Sequence, residues 1–483
     1  MNEISSLYPA NVWAFFHEIS QIPRPSKHEQ RMIDYLLNFA RENNLSHKKD
    51  DTGNVLIVKP ASVGKENAKP VVLQAHMDMV CEKNADVSFD FYSEPIAAYV
   101  DGDFVKAKGT TLGGDNGIGM AFMLAILSDN TLQHPELECL FTVDEETGLT
   151  GAFALGTDFI SAKTLINLDS EDDGVIFIGC AGGIDSTAVF DYSTENVSDG
   201  YFAFRVRVSG LKGGHSGDDI NKGLANANKL LARYLCKILS HTELRLSTID
   251  GGNLRNAIPR EANALVLVPY SKKEFVRVEL NHFIHDVEME FAATEPGLKI
   301  TLESEVIPEK MLKKEFSDKL FHALNACQHG VVAMSMDMPG LVETSTNLAS
   351  VKMNDSNQII VTTSQRSSSE PAKVALASQI ESVFALAGAA VSHGEGYPGW
   401  KPNLKSEILQ VSIDSYKNLF QAEPEVRAIH AGLECGLFLK KYPVLDMVSI
   451  GPQMYGVHSP DERLSISSTR KCWEWLLLIL KNL

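Results

Sequence analysis

Short apolar runs in the first third of the chain lead into clusters of metal- and proton-handling side chains, and no other feature limits the fold as much. Val71–Ala75 runs into Gln74-Ala75-His76-Met77-Asp78, Glu138–Val143 into Asp144-Glu145-Glu146, and Thr164–Leu168 into Asp169-Ser170-Glu171. Gly113-Gly114-Asp115-Asn116-Gly117 opens a helix candidate over Gly117–Leu127. Apolar runs of this length, including Val55–Val58, read as buried strands. Helices between them make an α/β sheet with helices on its faces. Ligand sites in such sheets lie beyond the carboxyl ends of the strands, so these loops are expected at one crevice. A fifth cluster, Val457-His458-Ser459-Pro460-Asp461-Glu462, stands far along the chain after the strand candidate Asp446–Ile450.

For His458 to reach the same crevice, the intervening chain must leave the sheet and return. The texture changes where that departure is needed. From about Tyr201, Phe204, Val206 and Val208 alternate with polar residues, as on a sheet with one wet face. Helix patterns at Leu224–Leu239 and Phe275–Phe291 flank strands at Leu244–Ile249 and Ala262–Val268. A helix near Glu315–Ala326, strands through Val351–Thr363 and a helix at Pro371–Leu386 follow. After the turn-rich Gly394–Trp400, the α/β texture resumes with a helix over Ile408–Phe420 and a C-terminal helix ending in Trp473–Leu480. The expected fold class is α/β: a domain with a mixed sheet flanked by helices, formed by residues 1–186 and 396–483, with an α+β domain inserted at 187–395. Near the N-terminus, Ser26 and Glu29 have capping-box spacing ahead of a helix that buries Met32, Tyr35, Leu36 and Phe39.

A chain of 483 residues exceeds one ordinary hydrophobic core, in line with two domains. The formal net charge of −18 repels phosphate backbones and anionic lipid, which removes nucleic acid and membrane surfaces as partners. Seven scattered cysteines without a CxxC pair read as free thiols of a reducing compartment. The N-terminus lacks the basic-then-apolar order of a signal peptide. Runs such as Val383–Val391 fall short of the roughly 20 residues that span a bilayer. A cytoplasmic protein is expected.

Each chemical cluster also has a plain structural reading. His76 with Asp78 can be a buried pair, Asp115 among glycines a helix cap, Asp169 a turn cap, and His458 a loop residue. Adjacent Glu145 and Glu146 are usually solvated, but here they close an apolar run, and their mutual repulsion calls for a cation. Singly the plain readings win; five donor-bearing loops together favour a site. Two imidazoles and several carboxylates form a ligand set for zinc, with cobalt or manganese as alternatives.

Further motifs are more specific: Ser209-Gly210-Leu211-Lys212-Gly213-Gly214-His215-Ser216-Gly217, Leu254-Arg255-Asn256-Ala257-Ile258-Pro259-Arg260-Glu261 and His430-Ala431-Gly432-Leu433-Glu434-Cys435-Gly436. With Ile22-Pro23-Arg24-Pro25-Ser26 and His458–Glu462 they cover nearly the whole chain. On these motifs the sequence resembles the zinc-dependent exopeptidase family of dipeptidases, carboxypeptidases and acylamino-acid deacylases. The resemblance implies that Asp115 bridges two divalent ions, one completed by His76 and Asp169 and the other by Glu146 and His458. It implies that Asp78 orients His76 and that Glu145 is the general base acting on a bridging water. The insert becomes a lid that carries His215 as an oxyanion donor and Asn256 and Arg366 as grips on the substrate. It also implies a homodimer. Physically, two cations about 3.5–4 Å apart need such a shared carboxylate, and a neighbouring carboxylate that is not a ligand can carry the proton.

The function this implies is a metal-dependent dipeptidase for Xaa-His substrates such as β-alanyl-histidine. The alternatives are an N-acyl amino acid deacylase with the same metals, a binding protein that keeps the fold without catalysis, and metal-free paired carboxylates as in glycoside hydrolysis.

Overall fold

Val71–His76 and Leu137–Thr142 are buried at every position. Strands with no exposed face lie at the centre of a sheet covered on both sides. The computed structural model describes residues 3–483 and bears this out. Eight strands form one sheet, in the spatial order Ser46–Lys49, Val55–Lys59, Leu137–Thr142, Val71–His76, Thr164–Asn167, Asp446–Ser449, Val175–Cys180 and Glu425–Ile429. Val71–His76 runs parallel to both Leu137–Thr142 and Thr164–Asn167, and Asp446–Ser449 runs parallel to Thr164–Asn167. Val55–Lys59 is antiparallel to its neighbours, so the sheet is mixed. Because the four central strands share one direction, the loops after them open at the same edge.

Helices cover this sheet. Gly114–Ser128 is buried along its length except at Asp115 and Ser128, which makes it a core helix rather than an amphipathic one. Phe122 on it stacks on Trp473 of the C-terminal helix Ile466–Asn482. Gln30–Glu42 buries Met32, Ile33, Leu36 and Phe39 on one stripe, with Tyr35 partly exposed. The expected capping box at its start is not made. Ser26 gives its hydroxyl to Asp78 Oδ2 at 2.7 Å, and Glu29 Oε1 accepts the amides of Lys27 and Asp144. Both side chains are recruited by tertiary partners, which overrides the local motif.

The chain divides into two compact units, one comprising residues up to Gly179 with Pro402–Ala428 and Leu433–Leu483, the other Cys180–Lys401 with Ile429–Gly432. The second unit carries a nine-stranded sheet, antiparallel at each pairing. It begins upstream of residue 187 because Gly182–Asp191 pairs along its whole length with Gln358–Ser367. Val206 and Val208 enter its core while Arg207 is exposed, the alternation expected of a sheet covered on one side. The helices Ala227–Leu239, Lys273–Phe291, Lys314–Ala326 and Glu370–Leu386 complete that core. No helix among the described residues is long and apolar enough to cross a membrane.

Leu73, wholly buried at the middle of the central strand, gives a test of this packing. Leu73→Ala is expected to destabilise the first unit by about 2–5 kcal/mol, whereas Val63→Ala, 93% exposed, should stay within about 0.5 kcal/mol. Urea midpoints of the two variants check this.

Candidate metal centre and active site

Val71–His76 ends on a histidine 1% exposed. Its Nε2 lies 2.9 Å from Asp115 Oδ1 and 3.3 Å from Asp169 Oδ1. Asp115 stands at the head of the helix Gly114–Ser128, and Asp169 two residues past Thr164–Asn167. The other Asp115 oxygen, Oδ2, lies 3.1 Å from His458 Nε2, which is also 3.0 Å from Glu146 Oε2. Two imidazoles therefore approach the two oxygens of one carboxylate, each with a further carboxylate of its own. Asn116 reinforces the arrangement by donating Nδ2 to Leu168 O and to Asp169 Oδ1.

Asp78 holds the far side of the His76 ring. Its Oδ1 is 3.3 Å from Nδ1, a contact whose geometry falls short of a hydrogen bond. The Asp78 carboxylate also accepts the amides of Glu145 (3.0 Å) and Glu146 (3.2 Å). Burial alone would raise its pKa, but His76, the Glu145 amide and the Ser26 hydroxyl outweigh that and bring it down to about 2. Asp78 thus stays an anion beside the imidazole and holds the loop of the paired glutamates by their amides.

His76, Asp115 and Asp169 could hold one divalent cation, and Asp115, Glu146 and His458 another; the donor atoms within each set lie within 4.8 Å of one another. These are the two sets named from the sequence. A third set of the same compactness, His76, Glu145 and Glu146, brings Glu145 to the same place. The electrostatics fit cations. Burial, followed by Asp169 and Glu434, lifts Glu145 well above the usual carboxylate range despite the opposing pull of His76. Burial and Asp115 likewise lift Glu146, and burial takes Asp169 to about 6. Glu171, half-buried beside Asp115 and Asp169, is pushed to about 8, mainly by burial. Hydrogen bonds to Asp115 and Glu146 push His458 up to about 11. For His76, burial acts downward, but Asp169, Asp115 and Asp78 prevail and raise it well above its ordinary value. Glu146 Oε1 is buried with no hydrogen-bond partner. This much unneutralised acid around two imidazoles is a cage for positive charge.

Behind this layer lies a buried polar network that the donor motifs did not announce. Glu434, wholly buried, accepts Gln74 Nε2 at 2.7 Å and Thr142 Oγ1 at 2.9 Å. Gln74 Oε1 accepts Asn167 Nδ2 at 2.5 Å, and Asn167 Oδ1 accepts the Asp169 amide and the Ser449 hydroxyl. Gln74 and Glu434 fall inside motifs visible in the sequence, but nothing local shows that they meet.

The other three predicted residues lie in the second unit. His215 ends a two-residue strand, Gly214–His215, paired with Ala257–Ile258. Its Nδ1 faces the amides of Gly217 (3.3 Å) and Asp218 (3.2 Å) and lies 3.4 Å from Asp218 Oδ2. Asn256 is its neighbour across this ribbon: its backbone oxygen accepts the Ser216 amide at 2.8 Å, while the residue itself is exposed. Arg366 lies inside the strand Gln358–Ser367 rather than after it, and is 7% exposed. Its Nη1 donates to Tyr397 Oη at 3.0 Å, and its buried Nε has no partner.

The profile of Peptidase family M20/M25/M40 matches residues 72–482. The chain is 44% identical to the cytosol non-specific dipeptidase of Escherichia coli (strain K12) over 483 residues, covering 100% of this chain and 99% of that protein. Its fold is similar to the crystal structure of aminoacylhistidine dipeptidase from Vibrio alginolyticus, with a TM-score of 0.94, 41% identity, and 100% and 98% of the two chains covered. The aminopeptidase PepT from Bacillus cereus shares the fold, at a TM-score of 0.57 and 16% identity over 98% of each chain.

The acidic surroundings raise the proton affinity of both His76 and His458, so a cation that binds there competes with protons for the two rings. Zinc binding to metal-stripped protein is therefore expected to release protons, and affinity to rise with pH between about 6 and 8. Calorimetric titrations in buffers of different ionisation enthalpy measure the release; buffer-independent heats would contradict it.

Proposed function

The chain belongs to Peptidase family M20/M25/M40, and from that premise we propose that it is a metal-dependent dipeptidase that cleaves short peptides, Xaa-His dipeptides such as β-alanyl-histidine among them. The observation that carries this reading is the sharing of Asp115 by His76 and His458, each with its own further carboxylate. The names of the similar Escherichia coli and Vibrio proteins support the substrate class. His76, Asp115 and Asp169 would hold one zinc ion, and Asp115, Glu146 and His458 a second. When bound, the ions supply Lewis acidity that polarises the scissile carbonyl and lowers the pKa of water.

The protein's own groups do the rest. Glu145 is not needed to complete either set. Its backbone is fixed through Asp78, and its carboxylate has a raised proton affinity from burial. It takes a proton from the attacking water and delivers it to the leaving amine. In the inserted unit, which acts as a lid, His215 donates Nε2–H to the developing oxyanion, a contact worth a few kcal/mol where water is excluded. Arg366, with Nε free of partners, grips the peptide's terminal carboxylate in a bidentate pair, and Asn256 adds a polar contact. That carboxylate separates a dipeptide from the interior of a longer chain. The working form is a cytoplasmic homodimer, the compartment supported by the relative's name.

The competing reading, an N-acyl amino acid deacylase, uses the same centre on substrates without a free amine. Purified protein should turn over β-alanyl-histidine and leave N-acetyl amino acids largely intact; exclusive turnover of the latter would reverse the assignment.

Glu145→Ala should keep its metal content and lose roughly 10²–10⁴-fold in kcat. Arg366→Ala should raise KM for dipeptides roughly tenfold to a hundredfold with a smaller effect on kcat. Metal analysis and steady-state kinetics on the two variants check both.

A further inference from the structure

Arg24 in Ile22-Pro23-Arg24-Pro25-Ser26 and Glu462 at the end of Val457–Glu462 have no part in the chemistry above, yet both side chains are buried beside it. Arg24 is 2% exposed and Glu462 3%. The Arg24 guanidinium donates Nη1 to the carbonyls of Met77 (2.9 Å) and Asp78 (2.6 Å), and Nη2 to the carbonyl of Gly113 (2.5 Å). The Glu462 carboxylate accepts the amides of Leu112 (2.7 Å) and Gly113 (3.1 Å) on Oε2, and that of Gly114 (2.7 Å) on Oε1. The residues just before Asp115 are therefore held by their carbonyl from one side and by their amides from the other.

The two glycines fit this grip. Gly113 has a φ of 71°, and a Cβ there would stand 2.6 Å from Arg24 Nη2. A Cβ on Gly114 would stand 3.2 Å from Glu462 Oε1. Side chains at either position would push the clamping groups away.

Glu462 also belongs to the turn that carries His458. The Glu462 amide donates to Ser459 O at 3.1 Å, and the Ser459 hydroxyl to Gly456 O at 2.6 Å, so His458 and Glu462 share one closed turn. His458 itself is 52% exposed at its side chain and has a φ of 63°. Its surroundings give it little packing. Besides the contact of the His458 ring with Asp115 Oδ2, the Glu462 carboxylate with its three amides ties this turn to the Asp115 loop.

We infer that Arg24 and Glu462 are positioning residues that set the place of His458 relative to Asp115, and so set the affinity for the cation these two share with Glu146. This rests on the metal-dependent reading above. A charged pair suits the task because hydrogen bonds to ionised groups are shorter and stronger than neutral ones. Groups that orient metal ligands commonly change metal affinity tenfold to a hundredfold when removed.

Glu462→Gln tests the inference, since an amide keeps the size but has one accepting oxygen instead of two. The matched control is Glu138→Gln. Glu138 is 4% exposed and also accepts loop amides, from Ser161 (2.9 Å) and Ala162 (3.3 Å), but at the start of Leu137–Thr142, away from the ligands. Zinc affinity of full-length, metal-stripped protein is measured by competition with a chromophoric chelator, and thermal midpoints are recorded alongside. Glu462→Gln is expected to weaken zinc binding at the Asp115, Glu146 and His458 set roughly tenfold to a hundredfold, read as a fall in one of the two zinc affinities, while Glu138→Gln loses stability and keeps zinc affinity within about twofold. Equal loss of stability in both variants with zinc affinity unchanged in both would overturn the clamp and leave Glu462 a purely structural residue. Wild-type protein that takes up no zinc would sink the metallopeptidase reading first, and the clamp with it. Should Glu462→Gln fail to fold, Glu462→Asp, with the charge kept and the reach shortened, is expected to weaken zinc binding; unchanged affinity there would also overturn the proposal.

Discussion

Asp115 offers one oxygen to His76 and the other to His458, a histidine 343 residues further along the chain. A carboxylate has two oxygens at fixed separation, so both imidazoles must be delivered to it within hydrogen-bond distance. His76 is delivered by a central strand, with Asp169 following the parallel strand beside it. His458 comes from the turn between Met454–Tyr455 and Arg463–Ser465, which follow Asp446–Ser449, a strand that continues the same parallel set. The sheet therefore has to close around a strand contributed by the last fifth of the chain, and residues between Cys180 and Lys401 fold as their own unit.

The sheet was readable because its central strands are mostly apolar and end in unusual donors. Val71–His76, Leu137–Thr142 and Thr164–Asn167 match the expected strands to within a residue or two. The strands expected through Val351–Thr363 form a hairpin between Val342–Asn354 and Gln358–Ser367, and its turn at Asn354-Asp355-Ser356-Asn357, where Asn357 takes a φ of 59°, was not read from the sequence. The departure from the sheet was harder to place. Gly182–Asp191 mixes glycine and polar residues with a few apolar ones, and its partnership with Gln358–Ser367 is non-local.

The residues that support the site were the least legible. Ser26 and Glu29 look like a helix cap by spacing, but Asp78 and the Asp144 amide are better partners for them in the folded chain. Gln74, Asn167 and Glu434 are ordinary polar residues in sequence, and only the parallel register of Val71–His76 with Thr164–Asn167 sets Gln74 opposite Asn167. Donor chemistry shows in a motif because it needs particular residue types. Support needs only a hydrogen-bonding group at the right distance, which many types supply and pattern does not mark.

Adjacent Glu145 and Glu146 show how such support makes two identical side chains unequal. Both amides point at Asp78, Glu145 at Oδ1 and Glu146 at Oδ2, so neither backbone is free to swing. With the main chain fixed, the two side chains come close to one another but meet different neighbours. Glu146 meets His458, while Glu145 answers electrically to His76, Asp169 and Glu434. Their neighbours differ although their chemistry is the same, and that difference allows one to serve a cation and the other a proton in the proposed mechanism. The arrangement works only while Asp78 remains charged. The His76 ring, the Glu145 amide and the Ser26 hydroxyl keep it so against the cost of its burial. A neutral Asp78 would accept both amides less strongly and loosen His76 at the same time, so the metal side and the proton side of the centre depend on the same anion.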